Sequence, residues 1–123
     1  MTPIFDSNCD VIAWFDGKNF FDEDIAWVAF LQSGNCFSAE NLDWLGALHE
    51  GSLLDTNGKP VGWLQGKSPS GTLPLLKPLR PLRPLRPLRP LRPLRPLRPL
   101  RPLLPLLPLG GWSNLSFNQW LNP

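Results

Sequence analysis

Asp6-Ser7-Asn8-Cys9-Asp10-Val11-Ile12-Ala13-Trp14 aligns without a gap on Asp55-Thr56-Asn57-Gly58-Lys59-Pro60-Val61-Gly62-Trp63, and two weaker copies lie between them. A small residue marks the period at Ala13, Ala29, Gly46 and Gly62, in steps of 16, 17 and 16. Ile12, Val28, Leu45 or Val61 precedes it, and Phe15, Leu31, Leu48 or Leu64 follows two residues later. Each unit then reaches a glycine, at Gly17, Gly34, Gly51 or Gly66, where a tight turn can use positive φ. Sixteen residues with a glycine in the middle and an Asx-rich break at the end leave no room for a three-turn amphipathic helix. The reading is one β-hairpin per repeat, with second strands at Asn19-Phe20-Phe21, Asn35-Cys36-Phe37 and Ser52-Leu53-Leu54.

The fourth unit has a first strand, Val61-Gly62-Trp63-Leu64, but runs into Ser68-Pro69-Ser70-Gly71 where its second should be. Ile4-Phe5-Asp6 matches Phe20-Phe21-Asp22 and Leu53-Leu54-Asp55, so the first residues of the chain are expected to complete the last hairpin and remove the sheet's edges. The predicted fold is all-β, a shallow closed ring of four hairpins with pseudo-fourfold symmetry over residues 1–71. Ala13, Ala29, Gly46 and Gly62 then line the ring axis, either to let strands approach closely or to keep a channel clear for a ligand; packing is the favoured reading. Trp14, Phe30 and Trp63 are read as core in preference to a solvent-facing or membrane-facing belt.

Residues 72–109 form a second region. Eight Pro-Leu-Arg triplets occupy residues 78–101, where proline excludes helix and central strand and leaves polyproline II, with prolines, leucines and arginines on three stripes. At ~3.1 Å per residue, the 35 residues of 74–108 span on the order of 100 Å when straight. The charge is divided accordingly. Residues 1–76 carry ten acids against Lys18, Lys59 and Lys67, a net −7, whereas Lys77, Arg80, Arg83, Arg86, Arg89, Arg92, Arg95, Arg98 and Arg101 supply +9. Those nine cations are the candidate site for an anionic lipid surface, which draws ~1 kcal/mol per basic residue, with the leucine stripe entering the interface beside them. A protein groove that reads polyproline is a further partner, although the PxxPxR match at Pro81-Leu82-Arg83-Pro84-Leu85-Arg86 comes automatically with the repeat. Nucleic acid ranks below these because the tract has no aromatic residue to stack on bases. A spacer role is the plain alternative.

Residues 110–123 are a tryptophan-containing end. Ser116 and Gln119 form a capping-box pattern, and Trp112, Leu115, Phe117, Trp120 and Leu121 are candidate docking residues for the chain's own ring or for an outside partner. Cys9 and Cys36, without companions and with one histidine in the chain, suggest reduced thiols and no metal site. His49 beside Glu50 reads as a solvated turn.

Ile12-Ala13-Trp14, Leu45-Gly46 and Val61-Gly62-Trp63, followed by the Pro-Leu-Arg run and then Gly111-Trp112-Ser113 and Ser116-Phe117, give the chain an order that resembles the bacterial fourfold β-flower domain proteins over nearly its whole length. The resemblance implies a ring of hairpin petals, similar in shape to the Tubby C-terminal domain and to lipid scramblases, and carries no functional residues; Cys9 stands where the turn pattern has a glycine, as at Gly58. The expectation is a non-enzymatic binding or scaffold protein without cofactor or metal, cytoplasmic and peripheral at the membrane where its arm engages it. A ring that cradles a small apolar ligand under a C-terminal lid is the alternative. An acidic head and a basic arm also predict salt-sensitive self-association.

Overall fold

The computed structural model describes residues 1–69, 81–102, 108 and 110–122. Eight antiparallel strands close into one barrel in chain order: β1 (Thr2–Phe5), β2 (Val11–Phe15), β3 (Asn19–Phe21), β4 (Trp27–Gln32), β5 (Asn35–Ser38), β6 (Trp44–His49), β7 (Ser52–Leu54) and β8 (Pro60–Leu64). The N-terminal strand supplies the missing eighth partner, pairing Ile4 with Leu64 and Phe5 with Trp63. Helix α1 (Phe117–Leu121) ends the fold.

The repeat works through a bulge. Where each second strand meets the next repeat, the register slips by one residue, at Ile4/Phe5, Phe20/Phe21, Cys36/Phe37 and Leu53/Leu54. The unmatched residues are Ile12, Val28, Leu45 and Val61, the branched aliphatics that precede each small residue. A bulge re-aims side chains and sharpens strand bending. Here it lets Ile12, Val28, Leu45 and Val61 pack in the central core.

The small residues lie opposite larger ones. Ala13 faces Ile4, Ala29 faces Phe20, Gly46 faces Cys36 and Gly62 faces Leu53 across adjacent strands. Directly opposed side chains share one face of the sheet, so the small member leaves room for the large one. At Gly46 the demand is absolute: φ is +137° and an added Cβ would lie 2.0 Å from the Leu54 carbonyl oxygen. Close packing is therefore the role of this position, and a clear axial channel is not.

Four rim loops join the repeats. In three of them an aspartate organises the turn: Asp6 accepts from the amides of Asn8 and Asp10, Asp22 from Asp24 and Ala26, and Asp55 from Asn57 and Lys59, all at 2.8 to 3.0 Å. The left-handed residue that follows is Cys9, Ile25 or Gly58, with Leu42 in the third loop. Cys9 thus keeps the turn of its glycine counterpart and buries its side chain against Phe5 and Trp63.

Trp14 and Trp63 are buried in two satellite clusters between ring and rim, as the core reading expected. Tight hairpin turns at Ser33-Gly34 and Glu50-Gly51 have positive φ at both central residues, as a primed two-residue turn requires.

Gly46→Ala is expected to destabilise the protein by roughly 3 kcal/mol or more, through overpacking and left-handed strain together, whereas Ala29→Gly in the equivalent position costs about 1 kcal/mol. Urea denaturation distinguishes them; equal effects would mean that the position is not held by close packing. Glu50→Asn, which places the favoured residue in a primed turn, should stabilise by roughly 0.5–1 kcal/mol in the same assay.

Candidate binding surface: a belt around the ring

The proline period fixes the arm's local conformation and leaves its path open between a straight rod and a wrap around the ring; the structure shows the wrap. Residues 81–102 follow the rim, because five arginines donate to backbone carbonyls of the rim loops. Arg83 reaches Asn41 O at 2.6 Å, Arg86 reaches Glu40 O at 2.7 Å and also Ala39 O, Arg92 reaches Asp24 O at 2.7 Å, Arg95 reaches Glu23 O at 3.1 Å, and Arg101 reaches Asn8 O. The belt therefore passes repeats three, two and one in turn, against the order of the strands.

The two periods match. Arg92 and Arg101 bind carbonyls at equivalent loop positions, Asp24 and Asn8, and they stand three triplets apart; Arg83 on the third loop stands three triplets before Arg92. Three triplets of extended proline-rich chain span about 28 Å, which is the arm's step from one petal to the next. After the belt the chain arrives at the fourth loop, where Ser113 donates to the Asp55 carboxylate at 2.6 Å and its amide to Pro60 O at 2.9 Å.

The three stripes separate by burial. The prolines turn inward, half-buried or, at Pro84, buried. The arginines lie at the surface, clamped to the rim at the five positions above. The leucines point away: Leu82, Leu85, Leu88, Leu91, Leu94, Leu97 and Leu100 are 91 to 95% exposed. Among the predicted cations, Arg89 and Arg98 have no partner among the described residues, and Lys77 and Arg80 lie outside the described residues. Arg101 also sits 4.0 Å from the Asp10 carboxylate, with both side chains largely in water, so this pair adds little.

The tryptophan-containing end docks on its own ring. Ser116 caps α1 in the predicted capping box, and Phe117, Trp120 and Leu121 enter the core cluster that joins all four repeats, with Leu115 packed at its edge. Trp120 is 1% exposed and donates its indole N–H to Leu54 O at 3.0 Å, the same carbonyl that forbids a side chain at Gly46. Trp112 packs against Phe5, Cys9 and Trp63. None of these five residues is left to project toward an outside partner.

Side chains from every repeat and from α1 cluster at the ring centre, where the small-ligand alternative places its cradle. A cleft of about 430 Å³ opens between the C-terminal segment and the first two rim loops, where Asp6, Asp22, Glu23 and Asp24 face an apolar wall that includes Ile12, Val61, Trp112, Leu115 and Phe117. Burial pushes the Cys36 thiol up, away from any thiolate chemistry, and raises Cys9, with Arg101 opposing that shift and Asp6 and Asp10 reinforcing it. His49 Nε2 and Glu50 Oε2 stand 3.9 Å apart with both side chains more than half exposed. No group of three or more His, Cys, Asp or Glu among the described residues is placed to hold a metal, and no helix among them is long and apolar enough to cross a membrane.

What the sequence reading missed is the acceptor set: the backbone carbonyls of Asn8, Glu23, Asp24 and residues 39–41. No side-chain motif marks a carbonyl. The available signal was arithmetic, since three triplets measure one petal.

Trp120→Ala should cost about 3–5 kcal/mol of stability, read by thermal or urea unfolding, because it empties the centre of the core and strands a buried carbonyl. A change under about 1 kcal/mol would mean that the helix is a surface appendage.

A family model described as the 4-fold beta flower protein matches residues 2–121. No curated protein and no solved structure matches the chain. With eight strands closed as four bulged hairpins and the match running through belt and helix alike, the chain belongs to the 4-fold β-flower family.

Proposed function

We propose that the protein is a non-enzymatic binding module whose working surface is the outer edge of the Pro-Leu-Arg belt, and that this edge associates with an anionic lipid surface. One observation carries the reading: seven leucines, each more than nine-tenths exposed, are held in a line by arginines that grip the rim behind them. Exposed apolar surface on this scale marks an interaction site. A floppy tail would lose conformational entropy on contact with an interface, but a belt already strapped to a folded ring has lost most of it.

The chemistry on either side of the leucines selects the partner. Their neighbours are cations, and binding a neutral carbonyl leaves an arginine's charge in place. A surface that offers hydrocarbon beneath a layer of negative charge matches both. A groove that reads prolines fits less well, because the prolines lie against the ring and leucines are what it would meet. Association of two belts would set like charges against each other.

Flotation with vesicles tests this. The full chain should bind phosphatidylcholine vesicles that contain phosphatidylglycerol, bind pure phosphatidylcholine weakly, and lose affinity as salt rises. Replacing Leu85, Leu91 and Leu97 by Gln should reduce binding by an order of magnitude or more without lowering the unfolding temperature. Equal binding to both vesicles, or an unchanged affinity in the leucine variant, would exclude the proposed surface.

A further inference from the structure

The arginines of the belt are not equivalent, and the inequality repeats with the ring. In the block formed by Arg83, Arg86 and Arg89, the first two donate to the third rim loop and the last has no partner among the described residues. In the block formed by Arg92, Arg95 and Arg98, the first two donate to the second rim loop and the last again has no partner among the described residues. The sequence is a perfect repeat, so local sequence does not create this difference. It comes from the step of the ring: in each block two arginines meet loop carbonyls and the third does not, although Arg89 lies beside the second rim loop. The unpartnered cation also sits between exposed leucines, Arg89 between Leu88 and Leu91 and Arg98 between Leu97 and Leu100, all at least 91% exposed.

We propose that Arg89 and Arg98 are the residues that hold headgroup phosphates of an anionic lipid, one at the end of each of the two blocks of three triplets. The proposal rests on the lipid-surface reading above and adds which cations make the contact. A guanidinium offers a planar fork of donors that matches phosphate oxygens in a bidentate way. The other five described arginines have part of that fork engaged by the rim, whereas Arg89 and Arg98 keep all of it. Flanking leucines on the same belt enter the acyl boundary, which sets the guanidinium at headgroup depth. Around Arg89, a hollow of about 240 Å³ is lined by Arg89, Arg92 and one carboxylate, Asp24, so cations outnumber acids there.

The test compares Arg89→Gln/Arg98→Gln with Arg86→Gln/Arg95→Gln in the full chain, on vesicles of phosphatidylcholine with and without phosphatidylglycerol. The first variant should bind the anionic vesicles about 30-fold more weakly, about fivefold for each arginine, with an unchanged melting temperature and unchanged maximum dimension in small-angle scattering. Arg89→Lys/Arg98→Lys should recover part of the affinity, since it keeps the charge and loses the fork. The second variant should loosen the belt, enlarging the particle. Undiminished binding by Arg89→Gln/Arg98→Gln, with wild type still preferring anionic vesicles, overturns this inference and leaves the lipid reading standing. Wild type that ignores vesicle charge overturns both. A fall in melting temperature for the first variant that the lysine variant reverses assigns these residues to the fold instead. Release by inorganic phosphate far beyond that by chloride at equal ionic strength assigns them to a soluble phosphate and overturns the lipid assignment.

Discussion

Everything in this protein depends on closing the ring, and closure rests on a short seam: two matched pairs, Ile4 with Leu64 and Phe5 with Trp63. Strands of three to six residues bury too little to stand as an open sheet. Closure removes the exposed edges and at the same time surrounds a centre small enough to fill. The seam therefore joins the first residues of the chain to the fourth repeat, and the wrap of the C-terminal region adds a second tie around the same perimeter.

The four bulges explain how so few residues make a core. A regular strand alternates its side chains between faces, so the aliphatic before each small residue would point away from the residues it packs with. One unmatched residue per repeat reverses that parity and sends Ile12, Val28, Leu45 and Val61 into the same cluster as Ile4, Phe20, Cys36 and Leu53. The ring still lacks a cover on its own, and Phe117, Trp120 and Leu121 provide it. Their arrival is why Leu54 O does two tasks, accepting the Trp120 indole and excluding a side chain at Gly46.

Much of this was legible before the structure. Periodic small residues and glycine turns gave the hairpins, and the match of Ile4-Phe5-Asp6 to later second strands gave the closure, because both are local patterns that backbone sterics enforce. The bulges were visible only as a conserved spacing within the repeat, with no residue type that requires them. The arm's path stayed open for a physical reason: proline fixes local conformation but not the path of a long chain, and repulsion between arginines favoured extension without excluding a wrap. What that reasoning left out is the other side of each arginine, the row of loop carbonyls that tight Asx turns present outward at Asn8 and Asp24. Backbone acceptors carry no sequence signature, and a period match across two different regions appears only when both are measured in the same unit.

That match also accounts for the choice of arginine. Attraction to a negative surface makes little distinction between lysine and arginine, yet the tract contains arginine at every cationic position from 80 to 101. A strap that must grip neutral carbonyls needs direction and more than one donor, as at Arg86, which bridges Ala39 O and Glu40 O. Each such bond is modest, about 0.5–1.5 kcal/mol, but several along one strap act together and hold the prolines against the ring. Once the prolines face inward, the threefold symmetry of the extended chain leaves the leucines no place but outside. Exposure of the leucines is thus a consequence of the grip, and the surface that meets a partner is set by the same arginines that fasten the belt.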